Sequence, residues 1–282
     1  MKSKPISHYV RQGLIYLFLS ALAVPFLFPF LWMISSSFKR LDEVFAFPPT
    51  LLPSEWHWEN FARAFTYQPF ARHYFNSLYI AVLVTIGTVL IASLSGYAFA
   101  RIRFKGASVL FILLMVTLMM PNEVTIIPNF YLMKWFGWTD THMPLILVPI
   151  LGANGVMGTY MLRQNFLSLP KEIEEAATVD GLRRPGIFWY IAMPIARPAV
   201  AALAVLSFLG SWNSFLDPLV YINDLKRFTL PLSLRNFADA YGLPIWNVQL
   251  AATTLAVLPI LLIYVIAQKH IVQSFALSGT KG

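Results

Sequence analysis

Long apolar runs alternate with short polar segments along this chain. A membrane-spanning helix needs about 20 consecutive, mostly apolar residues, and runs of about that length recur throughout the sequence. They predict six membrane-spanning helices, at about residues 14–35, 75–100, 107–127, 143–162, 196–220 and 248–268. The pattern therefore predicts an all-α integral membrane protein in which residues 1–282 form a single transmembrane domain.

The first apolar run could instead be a secretory signal that is cleaved. It follows Lys2 and Lys4, and Ala21 and Ala23 form a small-residue pattern of the kind found at cleavage sites. However, the apolar run continues to Ile34, which is too long for the hydrophobic core of a plain signal peptide. We therefore expect the first span to be retained.

Basic residues are divided unevenly between the two sets of loops that six spans would create. Of the 21 Lys and Arg residues, 13 lie in the two terminal tails, in the turn 101–105 and in the segment 163–197. The other eight are spread over longer loops. Because Lys and Arg are enriched on the cytoplasmic side of a membrane, we expect both termini and the segment 163–197 to be cytoplasmic.

Composition supports the membrane class and excludes others. The chain is 57% hydrophobic and only 12% charged, whereas a soluble domain carries about 25% charged residues. Its formal net charge is +8, but the basic residues occur in short clusters between apolar runs, so a nucleic-acid partner is not expected. The absence of Cys excludes disulfides, thiolate metal sites and cysteine nucleophiles.

A charged, helix-like segment interrupts the apolar sequence near its middle. Seven of the 14 residues in 171–184 are charged. Pro170 suits the first position of a helix, Ser168 could cap it, and Gly181 suits its end. These residues predict a helix of about 11 residues within a cytoplasmic loop at 163–194.

One side of this helix combines small apolar residues with acidic neighbours. The apolar stripe consists of Leu169, Ile173, Ala176 and Ala177, and it is flanked by Glu172, Glu175 and Asp180. Adjacent alanines allow a partner backbone to approach closely, and carboxylates can pair with a basic rim, so the pattern favours a helix that docks in another protein's groove. An ordinary amphipathic loop is the alternative. A second short helix is expected between Pro185 and Pro194.

The same segment resembles the EAA motif of ABC importer permeases, which reads E-A-A-x3-G-x9-I-x-L-P. The matching positions are Glu175, Ala176, Ala177, Gly181, Ile191 and Pro194, with Met193 in place of Leu. Further stretches resemble the carbohydrate-importing branch of that family, of the maltose and glycerol-phosphate type. They are NSLYIAVLVTIGTVLIASLSGYAFARIRFKG from Asn76, MMPNEVTIIPNFYLM, SWNSFLDPL and the closing SGTKG. The last of these resembles the smaller, maltose-type second permease.

This resemblance implies a multi-pass permease of the cell membrane that imports a sugar, polyol or sugar phosphate by alternating access. It also implies three kinds of partner: a dimer of ATPase subunits, a second permease that is usually a different chain, and an extracytoplasmic solute-binding protein. Glu175 would make the main polar contact with the ATPase, Ala176 and Ala177 would pack closely, and Gly181 would turn between the two short helices. The same docking set includes Asp180, Ile191 and Pro194.

Motifs for catalysis are absent from the sequence. It contains no phosphate loop of the form G-x-x-x-x-G-K-[ST], no H-E-x-x-H and no G-x-S-x-G. We therefore expect this chain to be no enzyme and to hold no metal or cofactor of its own. ATP and Mg²⁺ are expected on the partner ATPase subunits.

Polar residues within the predicted spans are candidates for the substrate path, because such residues are costly in a bilayer and often functional. They are Asn213, Asn154 and Asp217. The alternative role is hydrogen bonding between helices, with Gly152, Gly155 and Gly210 allowing close contact.

Other functions stay open from the residues alone. One is an ATPase-independent secondary carrier or channel for a small polar solute, although such a protein has no use for a groove-docking loop. The sequence also lacks a series of intramembrane carboxylates, which disfavours proton coupling. A membrane-embedded enzyme and a purely structural scaffold are further alternatives.

Overall fold

The computed structural model describes residues 6–238 and 241–279, with side chains for 11–238 and 241–268. Within these ranges the regular structure is helical, and an isolated bridge pairs Ala238 with Pro244. The α-helices in chain order are α1 (Ile6–Ser37), α2 (Leu41–Val44), α3 (Glu59–Tyr67), α4 (Phe70–Arg101), α5 (Ala107–Leu118), α6 (Asn122–Trp135), α7 (Met143–Leu151), α8 (Ala153–Leu167), α9 (Lys171–Val179), α10 (Arg184–Ile187), α11 (Met193–Ile195), α12 (Arg197–Trp212), α13 (Leu216–Tyr221), α14 (Leu230–Leu234) and α15 (Trp246–Gly279). A π-helical turn, Phe188–Ala192, joins α10 to α11, and a 3₁₀ turn, Leu225–Arg227, precedes α14.

Helix length and hydropathy confirm a chain with several potential membrane spans. Among the described residues, four segments are long and apolar enough to cross a membrane: Arg11–Ser37, Phe70–Arg101, Met143–Leu167 and Trp246–Gln268. The number rises to six if each of two bent pairs, α5 with α6 and α10–α11 with α12, forms one span. All six segments coincide with apolar runs of the sequence. Of the basic residues used to predict orientation, Lys2, Lys4 and Lys281 lie outside the described residues.

The third apolar run is not the straight helix that the sequence predicts for residues 107–127. Helix α5 ends at Leu118, and the axes of α5 and α6 differ by 104°. The break lies just before Asn122, where Pro121 has an extended backbone and lacks an N–H group to continue the helix. The fifth run also differs from its predicted bounds, because α12 ends at Trp212 and is bent by 78° from α10–α11.

The chain forms two compact units. The first comprises Met1–Gln68 and Leu234–Val257, and the second comprises Pro69–Ser233 and Leu258–Gly282. In the first unit, the buried side-chain amide of Asn60 donates to the carbonyl groups of Ser37 (3.0 Å) and Lys39 (2.9 Å). Its oxygen accepts a hydrogen bond from Asn247 Nδ2 at 3.0 Å. One amide thus satisfies polar groups from α1, α15 and the turn after α1, which would be costly to bury unpaired.

Close contacts between helices hold the second unit together, and small residues make them possible. A Cβ atom at Gly96 in α4 would lie 3.0 Å from the backbone nitrogen of Arg163 in α8. A Cβ atom at Gly158 in α8 would lie 2.9 Å from Cβ of Ala92. Helices that cannot rely on water exclusion associate through such small-residue contacts. The core beside this contact consists of Ala92, Tyr97, Leu162, Phe166, Phe188, Ala192, Ala196, Ala199 and Leu203.

Candidate docking surface and substrate cavity

Helix α9 ends as its sequence predicts. Gly181 has φ +88°, a left-handed conformation that glycine adopts without steric cost. The N–H of Gly181 donates to the carbonyl of Thr178 at 3.1 Å, and the N–H of Leu182 donates to the carbonyl of Ala177 at 3.0 Å. This pair of bonds forms a Schellman motif. It gives the chain a fixed turn between α9 and α10.

The beginning of α9 differs from the prediction. Ser168 does not cap it, because its hydroxyl donates to the carbonyl of Asn165 at 2.7 Å, at the end of α8. A serine hydroxyl often bonds to a carbonyl three residues earlier, and this local partner is within reach first. Pro170 is the residue before the helix, with φ −59° and ψ 133°, and the helix has nine residues rather than about 11.

The two sides of α9 have different environments. Ala177 is buried, and the Glu174 side chain is only 19% exposed. The opposite side carries Glu175 and Ala176, which are exposed, and Val179, which is 88% exposed. The two alanines of the motif therefore face in different directions. The outward side offers a carboxylate, a small residue and an apolar residue to a partner.

An ion pair that sequence reasoning missed holds the inward side. Arg101 Nε, at the end of α4, lies 2.9 Å from Glu174 Oε1, and the arginine side chain is 6% exposed. Arg101 Nη2 also donates to the carbonyl of Leu169 at 2.6 Å. One signal for this pair was available in the sequence, because Glu174 and Ala177 are three residues apart and so share a helix face.

The second half of the segment forms a helix that widens in the middle. It begins near Pro185, as expected, and continues through the π-helical turn into α11. Pro194 does not end it, because the helix extends one residue further, to Ile195. Proline removes only its own N–H donor, and helical hydrogen bonding resumes after it, where the N–H of Ala196 donates to the carbonyl of Ala192 at 2.9 Å. Ile191, the remaining motif residue, is half-buried.

Two adjoining cavities lie in the second unit, with volumes of about 500 Å³ and 200 Å³. The residues common to both are Asn122, Pro149, Asn154 and Asp217. The larger cavity is also lined by polar and aromatic residues that include Thr125, Asn129, Phe136, Trp138 and Tyr221. The smaller one adds Ser211, Ser214 and Thr229. A few polar groups among apolar walls are typical of small-molecule sites.

The structure brings together two of the three residues predicted for a substrate path. Asn154 and Asp217 line both cavities, and the Ser214 hydroxyl lies 3.5 Å from Asp217 Oδ2. Asn213 is exposed, lines neither cavity, and donates its side-chain amide to the carbonyl of Leu209 at 3.0 Å. Asn122 also lines both cavities but was not predicted from the sequence. It directly follows Pro121, where a helix break could have been expected.

A polar network orders the segment after α13. Asp140 Oδ1 accepts hydrogen bonds from the backbone N–H groups of Asp224 and Asn223, both at 3.0 Å, and these bonds lower the pKa of its carboxyl group. His142 contacts the Tyr79 hydroxyl through Nδ1 and the Arg227 carbonyl through Nε2, the latter at 2.6 Å. Burial lowers the pKa of His142, so the neutral imidazole is favoured.

Residues 88–276 match the model of a protein family described as the binding-protein-dependent transport system inner membrane component. The match covers more than half of the chain and includes α9, Asn154 and Asp217. The chain belongs to this family. It is accordingly a multi-pass permease subunit of an ABC importer, and several apolar helices agree with its place in the membrane.

Other permeases are similar over almost their whole length. The "Probable ABC transporter permease protein YurM" of Bacillus subtilis (strain 168) is 31% identical over 283 residues, covering 100% of this chain and 93% of that protein. The arabinooligosaccharides transport system permease protein AraQ of Halalkalibacterium halodurans is 34% identical over 258 residues, covering 90% of this chain and 91% of that protein.

A solved structure has the same fold. It belongs to a bacterial ABC transporter involved in the import of the acidic polysaccharide alginate. The TM-score is 0.81, and the match covers 96% of this permease and 100% of that chain. Sequence identity is 19%, so this likeness concerns the fold.

Proposed function

We propose that this permease imports a carbohydrate, which could be an oligosaccharide, a polyol or a sugar phosphate, by alternating access driven by separate ATPase subunits. The transport of arabinooligosaccharides named for a 34% identical relative supports this substrate class. So does the cavity chemistry, because amide, hydroxyl and carboxylate groups can hydrogen-bond to sugar hydroxyls while aromatic rings pack against the sugar.

The main structural support for this proposal is the outward side of α9. Glu175, Ala176 and Val179 are exposed on a short helix with a fixed end, and a groove on an ATPase subunit could accept this side. The buried Ala177, the turn at Gly181 and its neighbour Asp180 would shape the docking element, and Ile191 and Pro194 would position its second half. The segment 163–194 would then lie in the cytoplasm together with both termini, within a single transmembrane domain.

The family's dependence on a binding protein supports one of the other proposed partners. An extracytoplasmic solute-binding protein would deliver the substrate, and a second, different permease would complete the translocation path. The ATPase dimer would bind ATP and Mg²⁺ and perform hydrolysis, whereas this chain would hold neither and would be no enzyme. An ATPase-independent carrier or channel is the alternative, and the resemblance to binding-protein-dependent permeases disfavours it.

Coupling requires that the two conformations of the ATPase dimer interact differently with the docked helix. ATP binding would move α9 with its groove, and the spans would change from inward-facing to outward-facing. The substrate would pass Asn154 and Asp217, with Asn122 as an additional contact and Asn213 nearer to the path's edge.

Affinity purification of the complete chain from native membranes in mild detergent tests this function. We expect an ATPase subunit and a second permease to co-purify with the unmodified chain. Glu175→Arg should reduce ATPase recovery without reducing recovery of the second permease, because the reversed charge lies on the outward side of α9. Glu55→Arg is the matched control, since this glutamate side chain is 80% exposed and lies in another loop.

Each outcome of the purification has a distinct meaning. Equal ATPase recovery with Glu175→Arg and with the control would remove Glu175 from the docking contact. Absence of any ATPase subunit from a folded preparation of the unmodified chain would contradict the ATP-driven function and favour the carrier.

A further inference from the structure

The buried arginine at the end of α4 makes two contacts that meet at the docking helix. Arg101 pairs with the carboxylate of Glu174, in the first turn and a half of α9 (Nε–Oε1 2.9 Å), and donates to the carbonyl of Leu169 (2.6 Å), just before that helix begins. The first contact is an ion pair without hydrogen-bond alignment, and the second is a hydrogen bond donated by Nη2. A single side chain thus holds both the entry to α9 and one of its turns.

Tyr97 reinforces this connection one turn earlier on α4. Its ring packs edge-on against Phe166 of α8, with centroids 5.5 Å apart, and against Phe188 after α10, at 5.2 Å. The contacts of Arg101 and Tyr97 therefore connect α4 to both halves of the docking segment.

Glu174 and the adjacent motif residue Glu175 have different environments. Consecutive residues of an α-helix point about 100° apart, and Glu174 faces Arg101 while Glu175 is exposed. A carboxylate buried with an arginine is costly to separate, because either charge alone would stay poorly solvated. The pair therefore opposes any displacement of α9 away from α4.

We propose that Arg101 is the positioning residue that makes α9 and the end of α4 move as one body, through its pair with Glu174. This inference rests on the proposed function, because it assigns a route by which movement of the docking helix would reach the membrane-spanning part of the chain. It assigns Arg101 no contact with substrate or with the ATPase.

Electron paramagnetic resonance distance measurement between two spin labels tests the inference. The chain contains no Cys, so labels attach only at cysteines that are introduced. Labels are attached after Ile86→Cys on α4 and Val179→Cys on α9, which are 59% and 88% exposed. A reference pair joins Ile86→Cys with Gln164→Cys, an exposed position on α8. The full-length permease is measured in lipid nanodiscs, first alone. It is then measured with a non-hydrolysable ATP analogue, using only labelled chains that still co-purify with the ATPase, because Val179 lies on the proposed docking side of α9.

With Arg101 present, we expect one narrow 86–179 distance that does not change when the ATP analogue is added. Arg101→Ala should broaden this distribution by about twofold or more, because α9 becomes locally mobile, and should make the distance respond to the analogue. The 86–164 distance should stay unchanged. Arg103→Ala, which removes an exposed arginine two residues later, should leave both distances as they are.

Exchange of the two charges separates positioning from general folding. The variant with Arg101→Glu and Glu174→Arg should give a narrower 86–179 distribution than either single substitution. The inference is overturned by an unchanged distribution in Arg101→Ala, by parallel broadening of both label pairs, or by a nucleotide-dependent 86–179 distance in the parent chain.

The same samples distinguish failure of this inference from failure of the proposed function. Glu175→Arg should keep the 86–179 distance narrow even where ATPase recovery falls, because Glu175 lies outside the pair with Arg101. If no ATPase co-purifies but Arg101→Ala still broadens the distance, the proposed function fails while the role of Arg101 in holding α9 stands.

Discussion

At the scale of single residues, the packing of the second unit depends on the absence of side-chain atoms. Gly96 in α4 faces the backbone of α8, where an added Cβ would meet the Arg163 nitrogen at 3.0 Å and the Thr159 oxygen at 3.1 Å. Backbone atoms cannot rotate aside as a flexible side chain can. The contact between α4 and α8 therefore requires glycine at this position.

Replacement of that glycine should lower stability measurably. We expect Gly96→Ala to reduce the free energy of unfolding by about 1–3 kcal/mol, the usual cost of overpacking a close contact. Thermal unfolding of the purified chain in detergent measures the effect. Gly13→Ala is the control, because an added Cβ there meets nothing within 4 Å. Equal melting temperatures for the two variants would contradict the packing role of Gly96.

The half-buried His142 predicts a pH dependence of stability, also at the scale of a single residue. Burial lowers its pKa in the folded chain, so the folded state binds fewer protons than the unfolded state. The stability that neutral His142 contributes to the folded state is fully present above the ordinary histidine pKa of about 6.5. It is lost as the pH falls below that value.

The variant His142→Gln should therefore reduce the difference in melting temperature between about pH 7.5 and pH 5.5. A glutamine amide can still donate to the Arg227 carbonyl, which histidine Nε2 contacts at 2.6 Å. Melting curves of the parent and the variant at both pH values provide the test. An identical pH difference in the two proteins would show that His142 does not titrate on unfolding.

At the scale of helices, sequence reasoning succeeded where the determinants were local. The end of α9 was predictable because Gly181 supplies a left-handed residue where the helix must stop. The beginning was not, because Ser168 has a competing partner in the preceding helix. The pair of Arg101 with Glu174 joins residues 73 positions apart, and no local pattern specifies such a contact.

The turn after α9 makes a prediction about docking. Gly181→Ala places a Cβ in a left-handed conformation and should cost about 1–2 kcal/mol in that turn, so the docking segment should bind its ATPase less well. Gly106→Ala introduces comparable backbone strain, since Gly106 has φ +85°, but lies before α5. We expect lower ATPase recovery on purification from Gly181→Ala and normal recovery from Gly106→Ala. Equal recovery would mean that the turn at Gly181 does not shape the docking surface.

At the scale of the whole molecule, the fold class was predictable because a bilayer sets the length of every apolar run. The breaks in those runs were harder to predict from the sequence, since the 104° bend before α6 depends on how Pro121 packs against its neighbours. The cavities were the feature that the sequence predicted least well. They bring together Asn122, Asn154 and Asp217 from three separate parts of the chain, and only tertiary structure specifies that proximity.

The proposed function requires that an ATPase subunit contacts α9. A photoactivatable cross-linker on Val179→Cys, in this cysteine-free chain, would report that contact directly in native membranes. Phe47→Cys is the matched control, because Phe47 is 95% exposed and lies in a loop predicted on the other side of the membrane. We predict that mass spectrometry identifies an ATPase subunit cross-linked to Val179→Cys and not to Phe47→Cys. Capture of an ATPase from neither position, or equally from both, would contradict the proposed contact between α9 and the ATPase.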